Sequence, residues 1–290
     1  LDKYMPNFKE RAGEYIGNIT YPDGNIYYFP KIEEAFSMNS AQAVFINTEW
    51  LKNVGKDMPT TTDEFADVLR AFKEQDANGN GDANDEIPFS ALNWGYAGII
   101  NMFCGAFGHP YGLQIDKDGK TVVDSRCEDG TKEAIKWLRG LYEEGLIDME
   151  IFTQDGDAFL AKCKEDPTLV GCSTGWRAGH SYGDAVAEAQ YKTLLPLKGP
   201  NGDRGILGRG ENINITPAMM VTSACEHPEV LARWVDTLYA EDISIQCNKG
   251  PLGYTLTKND DGSYDANVLP EGYETRGEYL DKNHLLHIPQ

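Results

Sequence analysis

Apolar side chains recur at helical spacing in three long stretches of the chain. The clearest stretch begins at Thr61, which forms an S/T-x-x-E capping box with Glu64. A second helix is predicted over 131–144, where Gly145 supplies the stop, and a third begins at Pro228. The inward faces that this spacing predicts are Phe65, Val68, Leu69 and Phe72; Ala134, Ile135, Leu138, Leu141 and Tyr142; and Leu231, Trp234, Val235 and Leu238.

Short apolar runs between these helices predict strands. The run 26–29 ends at Pro30, which we expect to stop the strand because proline has no backbone N–H to donate. The other predicted strands are 42–46, 168–172, 193–197 and 212–216. Because strands alternate with helices of about ten to fifteen residues, the pattern predicts an α/β fold.

The composition adds a strong negative charge to this picture. The 290 residues include 46 acidic and 26 basic side chains, which gives a formal net charge of -20. This charge argues against nucleic acid as a partner, because its phosphates would be repelled. The length suits two domains or one large one, and no apolar run in the sequence approaches the length of a membrane span.

Six cysteines are spread widely over the chain, and none forms a C-x-x-C motif. This spacing argues against a zinc ribbon or a thioredoxin-like motif. Two interpretations remain open, namely six small buried apolar side chains or a set with one or two disulfides. The cysteines are Cys104, Cys127, Cys163, Cys172, Cys225 and Cys247.

A run of oxygen-bearing side chains over 76–86 is the strongest chemical signal in the sequence. Asp or Asn occupies every second position from Asp76 to Asn84, and Gly81 stands sixth, where an EF-hand loop turns sharply. Calcium needs six to eight hard oxygen ligands, and a tightly curled loop supplies them. The run departs from an EF-hand because its twelfth residue is Ile87. The alternative interpretation is a solvated acidic turn.

The sequence also resembles a known family in several places. Similar stretches are Phe45-Ile-Asn-Thr-Glu-Trp-Leu51, Pro59-Thr-Thr-Thr-Asp-Glu-Phe65, the run from Asp76 to Pro88, Leu195-Pro-Leu-Lys-Gly-Pro200, 227–236 and 250–254. In combination they resemble family 1 of the bacterial extracellular solute-binding proteins, which serve ABC sugar importers. The resemblance is closest to the lipoprotein members and to alginate- and oligosaccharide-binding members.

The resemblance implies a two-lobed periplasmic-binding-protein-like α/β fold of type II. Such lobes close on the ligand about crossing hinge strands. It assigns 1–30 and 205–247 to the N-terminal lobe and 31–204 and 248–290 to the C-terminal lobe. Family members carry roughly another hundred residues before the position of Leu1, so the chain is expected to be a fragment that lacks most of the N-terminal part of the first lobe.

In relatives the acidic loop binds a structural Ca²⁺. The loop of this chain is one residue longer than the commonest version, which leaves open whether Asn84 or Asp85 binds the ion. Carried over by the resemblance, the ligands are Asp76, Asn78, Asn80, the carbonyl of Asp82, Asp85 and Glu86.

Candidate ligand residues are aromatic and planar polar side chains near strand ends, because sugars present apolar C–H faces together with rings of hydroxyls. Maltose-binding relatives have aromatic residues at the positions that match 93–96 and Trp176. The aromatic candidates have a core position as their structural alternative, and Arg177 has a salt bridge as its alternative. The candidates are Trp94, Tyr96, Trp176 and Arg177, followed by His180, Glu211 and Tyr254. Trp234 is expected in the core and Trp137 to be partly buried.

A serine hydrolase is the main enzymatic alternative. The stretch 171–175 reads G-x-S-x-G, so Ser173 would be the nucleophile, with Asp236 and His284 in the required order. No HGGG-type oxyanion motif accompanies it. A calcium-stabilised carbohydrate-binding or adhesion protein without transport is the second alternative.

The sequence therefore predicts a non-catalytic, calcium-stabilised substrate-binding component of an ABC importer. Its expected partners are an oligosaccharide or related glycan and the membrane subunits of an ABC permease. We expect a monomer located outside the cell as a membrane-anchored lipoprotein, with the targeting segment upstream of this chain.

Overall fold

The computed structural model describes residues 3–33, 42–92, 98–116, 118–205, 214–266, 271–273 and 282. Within these ranges, no helix combines the length and the apolar character that crossing a bilayer requires. The chain divides into two compact units. The first is formed by Leu1–Met38 with Glu211–Gln290, and the second by Asn39–Gly210.

The helices, numbered in chain order, are α1 (Pro6–Ala12), α2 (Ile16–Ile19), α3 (Thr48–Asn53), α4 (Thr62–Glu74), α5 (Ile99–Phe103), α6 (Asp129–Glu143), α7 (Gly156–Cys163), α8 (Ala178–Tyr182), α9 (Asp184–Gln190), α10 (Pro228–Leu238) and α11 (Glu241–Lys249). The strands are β1 (Phe29–Glu33), β2 (Ala43–Asn47), β3 (Ile87–Ser90), β4 (Leu113–Ile115), β5 (Val122–Asp124), β6 (Val170–Gly175), β7 (Tyr191–Leu194), β8 (Asn214–Met219), β9 (Leu256–Lys258) and β10 (Tyr264–Ala266).

The second unit is built on a four-stranded mixed sheet of order β3-β6-β2-β7. Strand β3 runs parallel to β6, and β2 is antiparallel to both of its neighbours. Side chains of β2 alternate between two cores, because successive residues of a strand point to opposite faces. Val44 and Ile46 join a large core with α4, whereas Phe45 joins a smaller core with α7, α8 and α9. Helices therefore cover both faces of this sheet.

Helix α4 confirms the clearest prediction from the sequence. Thr61 Oγ1 accepts a hydrogen bond from the Glu64 amide at 3.1 Å, and Glu64 Oε2 accepts one from the Thr61 amide at 3.2 Å. The four predicted inward residues of this helix are all buried. Gly171 of β6 lies against the same core: a Cβ there would come within 2.7 Å of the Trp50 and Phe72 rings, so glycine permits this close packing.

Two predicted helix faces are rotated relative to the structure. On α6 the buried stripe passes through Ala134, Leu138 and Leu141, which leaves Ile135 at its edge and 40% exposed. On α10 the buried face includes Asp236, so Trp234 lies outside it and is 55% exposed. The prediction of a core Trp234 was therefore wrong, whereas Trp137 is partly buried as expected.

The first unit contains the antiparallel pair β1–β8. Pro30 does not stop β1 but lies inside it. The register shifts between Phe29 and Pro30, and such an irregularity accommodates a residue without an N–H. Met5, Phe8, Val235 and Tyr239 belong to the core of this unit. The Asp236 carboxylate joins α10 to α1 by accepting hydrogen bonds from the first turn of α1, including one from the Phe8 amide at 2.8 Å.

The sequence and the structure group the end of the chain differently. The family resemblance assigned 248–290 to the lobe that contains the acidic loop, whereas contacts group the described part of this segment with the first unit. The physical reason is the local packing of the β9–β10 hairpin against α11. Lys258 Nζ on β9 lies 2.7 Å from Asp242 Oδ1 on α11, and the Tyr264 hydroxyl of β10 donates to the same carboxylate.

All six cysteines are unpaired. Burial raises the pKa of the Cys104 thiol to about 11 and that of the Cys163 thiol to about 12, so both are uncharged at neutral pH. Cys172 and Cys247 are buried as well, whereas Cys127 is exposed. The interpretation of mostly buried, small apolar side chains is thus correct, and no disulfide forms.

Candidate functional site

The acidic loop connects the end of α4 to the start of β3. Its curl is stabilised by side-chain oxygens that accept hydrogen bonds from amides further along the loop. Asp76 Oδ2 accepts from Gly81 at 2.9 Å, Asn78 Oδ1 from Asn80 at 2.9 Å and Asn80 Oδ1 from Asp82 at 2.8 Å. Gly81 has a φ of 94°, the left-handed conformation that the sequence predicts for the sixth position.

Asp85 and Glu86 close the loop from its C-terminal end. The Asp85 carboxylate accepts hydrogen bonds from the side-chain amides of Asn78 at 3.1 Å and Asn80 at 2.6 Å. Glu86 Oε1 accepts from the Ala77 amide at 2.8 Å. Burial raises the pKa of the Glu86 carboxyl above its ordinary value, because the charged form loses hydration. The closing residues therefore face back toward the start of the loop.

Two carboxylate oxygens of this loop, Asp76 Oδ1 and Glu86 Oε2, are buried and have no hydrogen-bond partner. A buried carboxylate oxygen without a partner is costly, and a cation removes that cost. Across the described ranges, no three side chains of His, Cys, Asp or Glu converge as a ready-made metal site. A cation bound here would therefore also draw on asparagine amide oxygens and backbone carbonyls, which are ligands suited to Ca²⁺. On these grounds the loop fits Ca²⁺.

A second candidate site is a cavity of about 360 Å³ at the end of β6. Trp176 and Arg177 follow this strand directly, and His180 lies one turn further on, in α8. The structure thus brings three of the predicted ligand residues together around one cavity. The remaining lining comes from Gln42, Leu92, Gly156, Phe159, Leu160, Thr174, Gly175 and Ser181.

The Trp176 side chain is 53% exposed, so it presents apolar surface to the cavity rather than filling the core. The next residue, Arg177, donates from Nη2 to Asp184 Oδ1 at 2.8 Å. The salt bridge that the sequence gave as the alternative for Arg177 is therefore present. Both side chains of this pair are well exposed.

Gln42 is a lining residue that sequence reasoning missed. It lies just before β2, and the antiparallel register pairs its neighbour Ala43 with Gly175, the residue before Trp176. Its amide oxygen Oε1 is buried and has no hydrogen-bond partner. The only sequence signal is a polar residue directly before a buried strand, and such residues are too common to single one out.

Of the other predicted ligand residues, only Tyr254 lies within the described ranges. Trp94, Tyr96 and Glu211 lie outside the described residues. Tyr254 belongs to the first unit and is 72% exposed. Its role as a ligand residue stays a prediction.

Ser173 is not placed as the nucleophile of a serine hydrolase would be. Ser173 lies within β6 and is 0% exposed, whereas a nucleophile elbow presents its serine at an open turn. The carboxylate of Asp236 belongs to the first unit and is engaged with the start of α1. His284 lies outside the described residues.

Comparisons with known proteins give the class of molecule. No protein-family model matches the sequence. The chain is 37% identical over 271 residues to the fructooligosaccharide ABC transporter substrate-binding protein FusA of Streptococcus pneumoniae, and the match covers 89% of this chain and 49% of FusA. It is 30% identical over 268 residues to lipoprotein LipO of Bacillus subtilis, covering 87% of this chain and 51% of LipO.

Solved structures of FusA share the fold. FusA in complex with kestose matches with a TM-score of 0.82 at 34% identity, over 92% of this chain and 57% of that chain. An EF-hand mutant of FusA in complex with fructo-nystose matches with a TM-score of 0.79 at 32% identity, over 96% of this chain and 58% of that chain.

The fold is therefore that of a solute-binding protein, as the sequence resemblance predicted. The chain is homologous to the substrate-binding proteins of sugar ABC transporters, consistent with family 1 of the extracellular solute-binding proteins. It spans about half the length of the curated relatives that it matches.

Proposed function

We propose that this chain is part of the ligand-capturing component of an ABC importer that takes up an oligosaccharide or related glycan. The observation that carries the proposal is the cavity at the end of β6, where Trp176 offers an apolar platform beside planar polar side chains. The homology to FusA, a fructooligosaccharide-binding transporter protein, supports the same ligand class.

No chemical step is needed for this function. Trp176 would stack on the C–H face of a sugar ring, while polar groups of the cavity exchange hydrogen bonds with its hydroxyls. Ligand binding would shift a conformational equilibrium, and a membrane permease would recognise the ligand-bound form. The relatives are transporter proteins and not enzymes, which supports a role without catalysis.

We further propose a structural Ca²⁺ in the acidic loop. Asp76, Asn78, Asn80, the carbonyl of Asp82, Asp85 and Glu86 would hold it. This ligand set is supported by the unpartnered oxygens of Asp76 and Glu86. It is also supported by the EF-hand of FusA, which the structure of a FusA EF-hand mutant implies. The Asp85 carboxylate already faces Asn78 and Asn80, whereas the Asn84 amide donates to Asp82 Oδ1 at 3.0 Å, so we choose Asp85 over Asn84. The ion would stabilise the fold.

The cellular setting follows by the same reasoning. The homology to a lipoprotein supports an extracellular, membrane-anchored protein, and we propose a monomer that delivers its ligand to permease subunits. In this assignment the second unit corresponds to the C-terminal lobe of the binding protein.

The test is calorimetric titration of the whole natural polypeptide that carries these residues. A panel of oligosaccharides is titrated into calcium-loaded protein. The proposal expects saturable binding of at least one glycan, recovered chemically unchanged, because a binding protein releases what it captures. A protein that binds no member of the panel, or that hydrolyses one, would contradict it. Loss of uptake after gene deletion would separate the transport function from an adhesion protein that binds the same glycan.

A further inference from the structure

The described lining of the Trp176 cavity is mostly uncharged. Apolar surface comes from Leu92, Phe159, Leu160 and Trp176. Arg177 is the permanent cation among the lining residues that the structure describes, and no carboxylate is among them. Whether Arg177 already has a counter-ion therefore affects how this described lining meets an anionic ligand.

Arg177 has a carboxylate as its ion-pair partner. Asp184, in the first turn of α9, accepts the 2.8 Å hydrogen bond from Arg177 Nη2. The pair lies over Gly179 of α8: a Cβ at that position would stand 2.1 Å from Asp184 Oδ1 and 3.5 Å from Arg177 Nη2. Glycine at 179 therefore leaves the space that the carboxylate occupies.

Gln42 supplies an independent observation about the ligand. Its Oε1 is buried at the cavity and accepts no hydrogen bond. An acceptor in this state gains most from a ligand that carries a donor. A sugar hydroxyl is such a donor, whereas an ionised carboxylate placed directly at Gln42 Oε1 would offer only further acceptors.

We propose that the Trp176 cavity selects an uncharged sugar ring, with Gln42 as a specificity-determining contact and Asp184 as the residue that prevents Arg177 from recruiting acidic sugars. Trp176 stacks on the ring, and a ring hydroxyl donates to Gln42 Oε1. A uronate-containing glycan is rejected because Arg177 already has its counter-ion. This inference rests on the proposed function, since it names the substrate class of the same cavity.

The decisive variant is Asp184→Asn, which removes the counter-ion and leaves Arg177 in place. Calorimetry on the whole natural polypeptide compares trigalacturonate with the neutral trisaccharide that binds best in the panel. We expect Asp184→Asn to bind trigalacturonate at least about tenfold more tightly than wild type, because a charge-assisted hydrogen bond to a carboxylate becomes available. Affinity for the neutral sugar should stay within about threefold.

Glu143→Gln is the matched control. Glu143 is an exposed carboxylate that pairs with the exposed Arg139 at 2.7 Å on α6 and does not line the cavity. It changes the net charge of the protein by the same amount, so it should leave both affinities unchanged. An equal gain for trigalacturonate in both variants would mean a general charge effect and would overturn the proposal.

Gln42→Leu and Gln42→Ala test the hydrogen-bonding contact. Both should weaken neutral-sugar binding by about tenfold or more with an unchanged circular dichroism spectrum, since they remove the acceptor. Unchanged neutral affinity in both folded variants would overturn the role of Gln42. Wild-type protein that binds trigalacturonate as tightly as neutral sugars would overturn the selectivity. Wild-type protein that binds no oligosaccharide would instead overturn the proposed function itself.

Discussion

Trp176 and Trp234 expose similar fractions of their side chains, 53% and 55%, but they have different surroundings. Trp176 follows the end of β6 and lines a cavity. Trp234 lies on α10 beside the buried face that contains Val235 and Asp236, and it belongs to the first unit. Exposure alone therefore does not identify a ligand residue; a cavity beside the ring does.

Replacing Trp176 with alanine should weaken oligosaccharide binding by about ten- to hundredfold, because a large apolar side chain that the ligand buries contributes roughly 1.5–3 kcal/mol. The unfolding temperature should change little, since about half of the side chain is already in water. Isothermal titration calorimetry measures the affinity, and Trp234→Ala is the matched control. Equal affinities for the two variants would remove Trp176 from the site.

A buried ion pair positions the elements next to this cavity. Asp148 Oδ2 accepts hydrogen bonds from Lys162 Nζ at 2.9 Å and from Ser90 Oγ at 2.7 Å. Gln154, which also contacts Lys162, donates to the Ala91 carbonyl at 2.8 Å. Burial by itself raises the pKa of Asp148, but these hydrogen bonds outweigh it and hold that pKa below its ordinary value. The network joins the end of β3 to α7, which lines the cavity.

Lys162→Met should lower the free energy of unfolding by about 3 kcal/mol at neutral pH, because it leaves the Asp148 carboxylate buried without a counter-ion. Urea unfolding measures the loss. The lowered pKa of Asp148 means that its stabilising contribution is present above 3.8 and is lost as pH falls through the folded-state pKa. Hydrogen bonds to Asp148 and Glu150 raise the pKa of Lys162 despite its burial, so its contribution is present below 10.5 and is lost as pH rises through its folded-state pKa.

The difference between wild type and Lys162→Met should therefore be largest between these limits and should shrink in acid. The double variant Asp148→Asn/Lys162→Met is the control, because it removes both charges and should be less destabilised than the single variant. A single variant as stable as wild type across this pH range would show that the pair contributes nothing.

At the scale of elements, the sequence predicted well what is determined locally. The capping box of α4 and the curl of the acidic loop depend on residues a few positions apart, and both are present. Features set by distant residues were missed. Trp234 is exposed because the face of α10 that carries Asp236 packs instead against the start of α1, which is distant in the sequence. Gln42 is brought to the cavity by the pairing of β2 with β6, which is also a contact between distant residues.

The acidic loop links α4 to β3, so a cation bound there should stabilise both elements. Chelation with EDTA should lower the free energy of unfolding by about 2.7 kcal/mol relative to protein at a calcium concentration of one hundred times Kd. Glu86→Gln should abolish most of the difference because it weakens a ligand whose Oε2 has no other partner. Differential scanning fluorimetry detects this loss of stability as a lower unfolding temperature.

Glu74→Gln is the control for this experiment, since Glu74 is exposed at the end of α4 and precedes the loop. That variant should respond to calcium and EDTA as wild type does. If calcium-loaded wild type and Glu86→Gln lost the same stability on chelation, the loop would not hold the ion.

At the scale of the whole molecule, each unit has a hydrophobic core of its own. The second unit is centred on Trp50, Phe65 and Phe89, and the first on Phe8 and Val235. The acidic loop belongs to the second unit, which the chain enters after residue 38 and leaves after residue 210. A ligand that binds one unit stabilises that unit directly, and the other only as far as the two unfold together.

We expect calorimetric unfolding to show two transitions, of which calcium removal shifts only the one that belongs to the second unit. The complementary variant, which acts on the first unit, is Asp236→Ala. It deprives the first turn of α1 of its carboxylate acceptor and should destabilise the first unit by about 2 kcal/mol. Lys162→Met and EDTA should then move one transition, and Asp236→Ala the other. If the protein instead showed a single transition, and all three changes lowered its temperature by similar amounts, the two cores would unfold as one cooperative structure. The acidic loop would then stabilise the whole chain rather than only the unit that contains it.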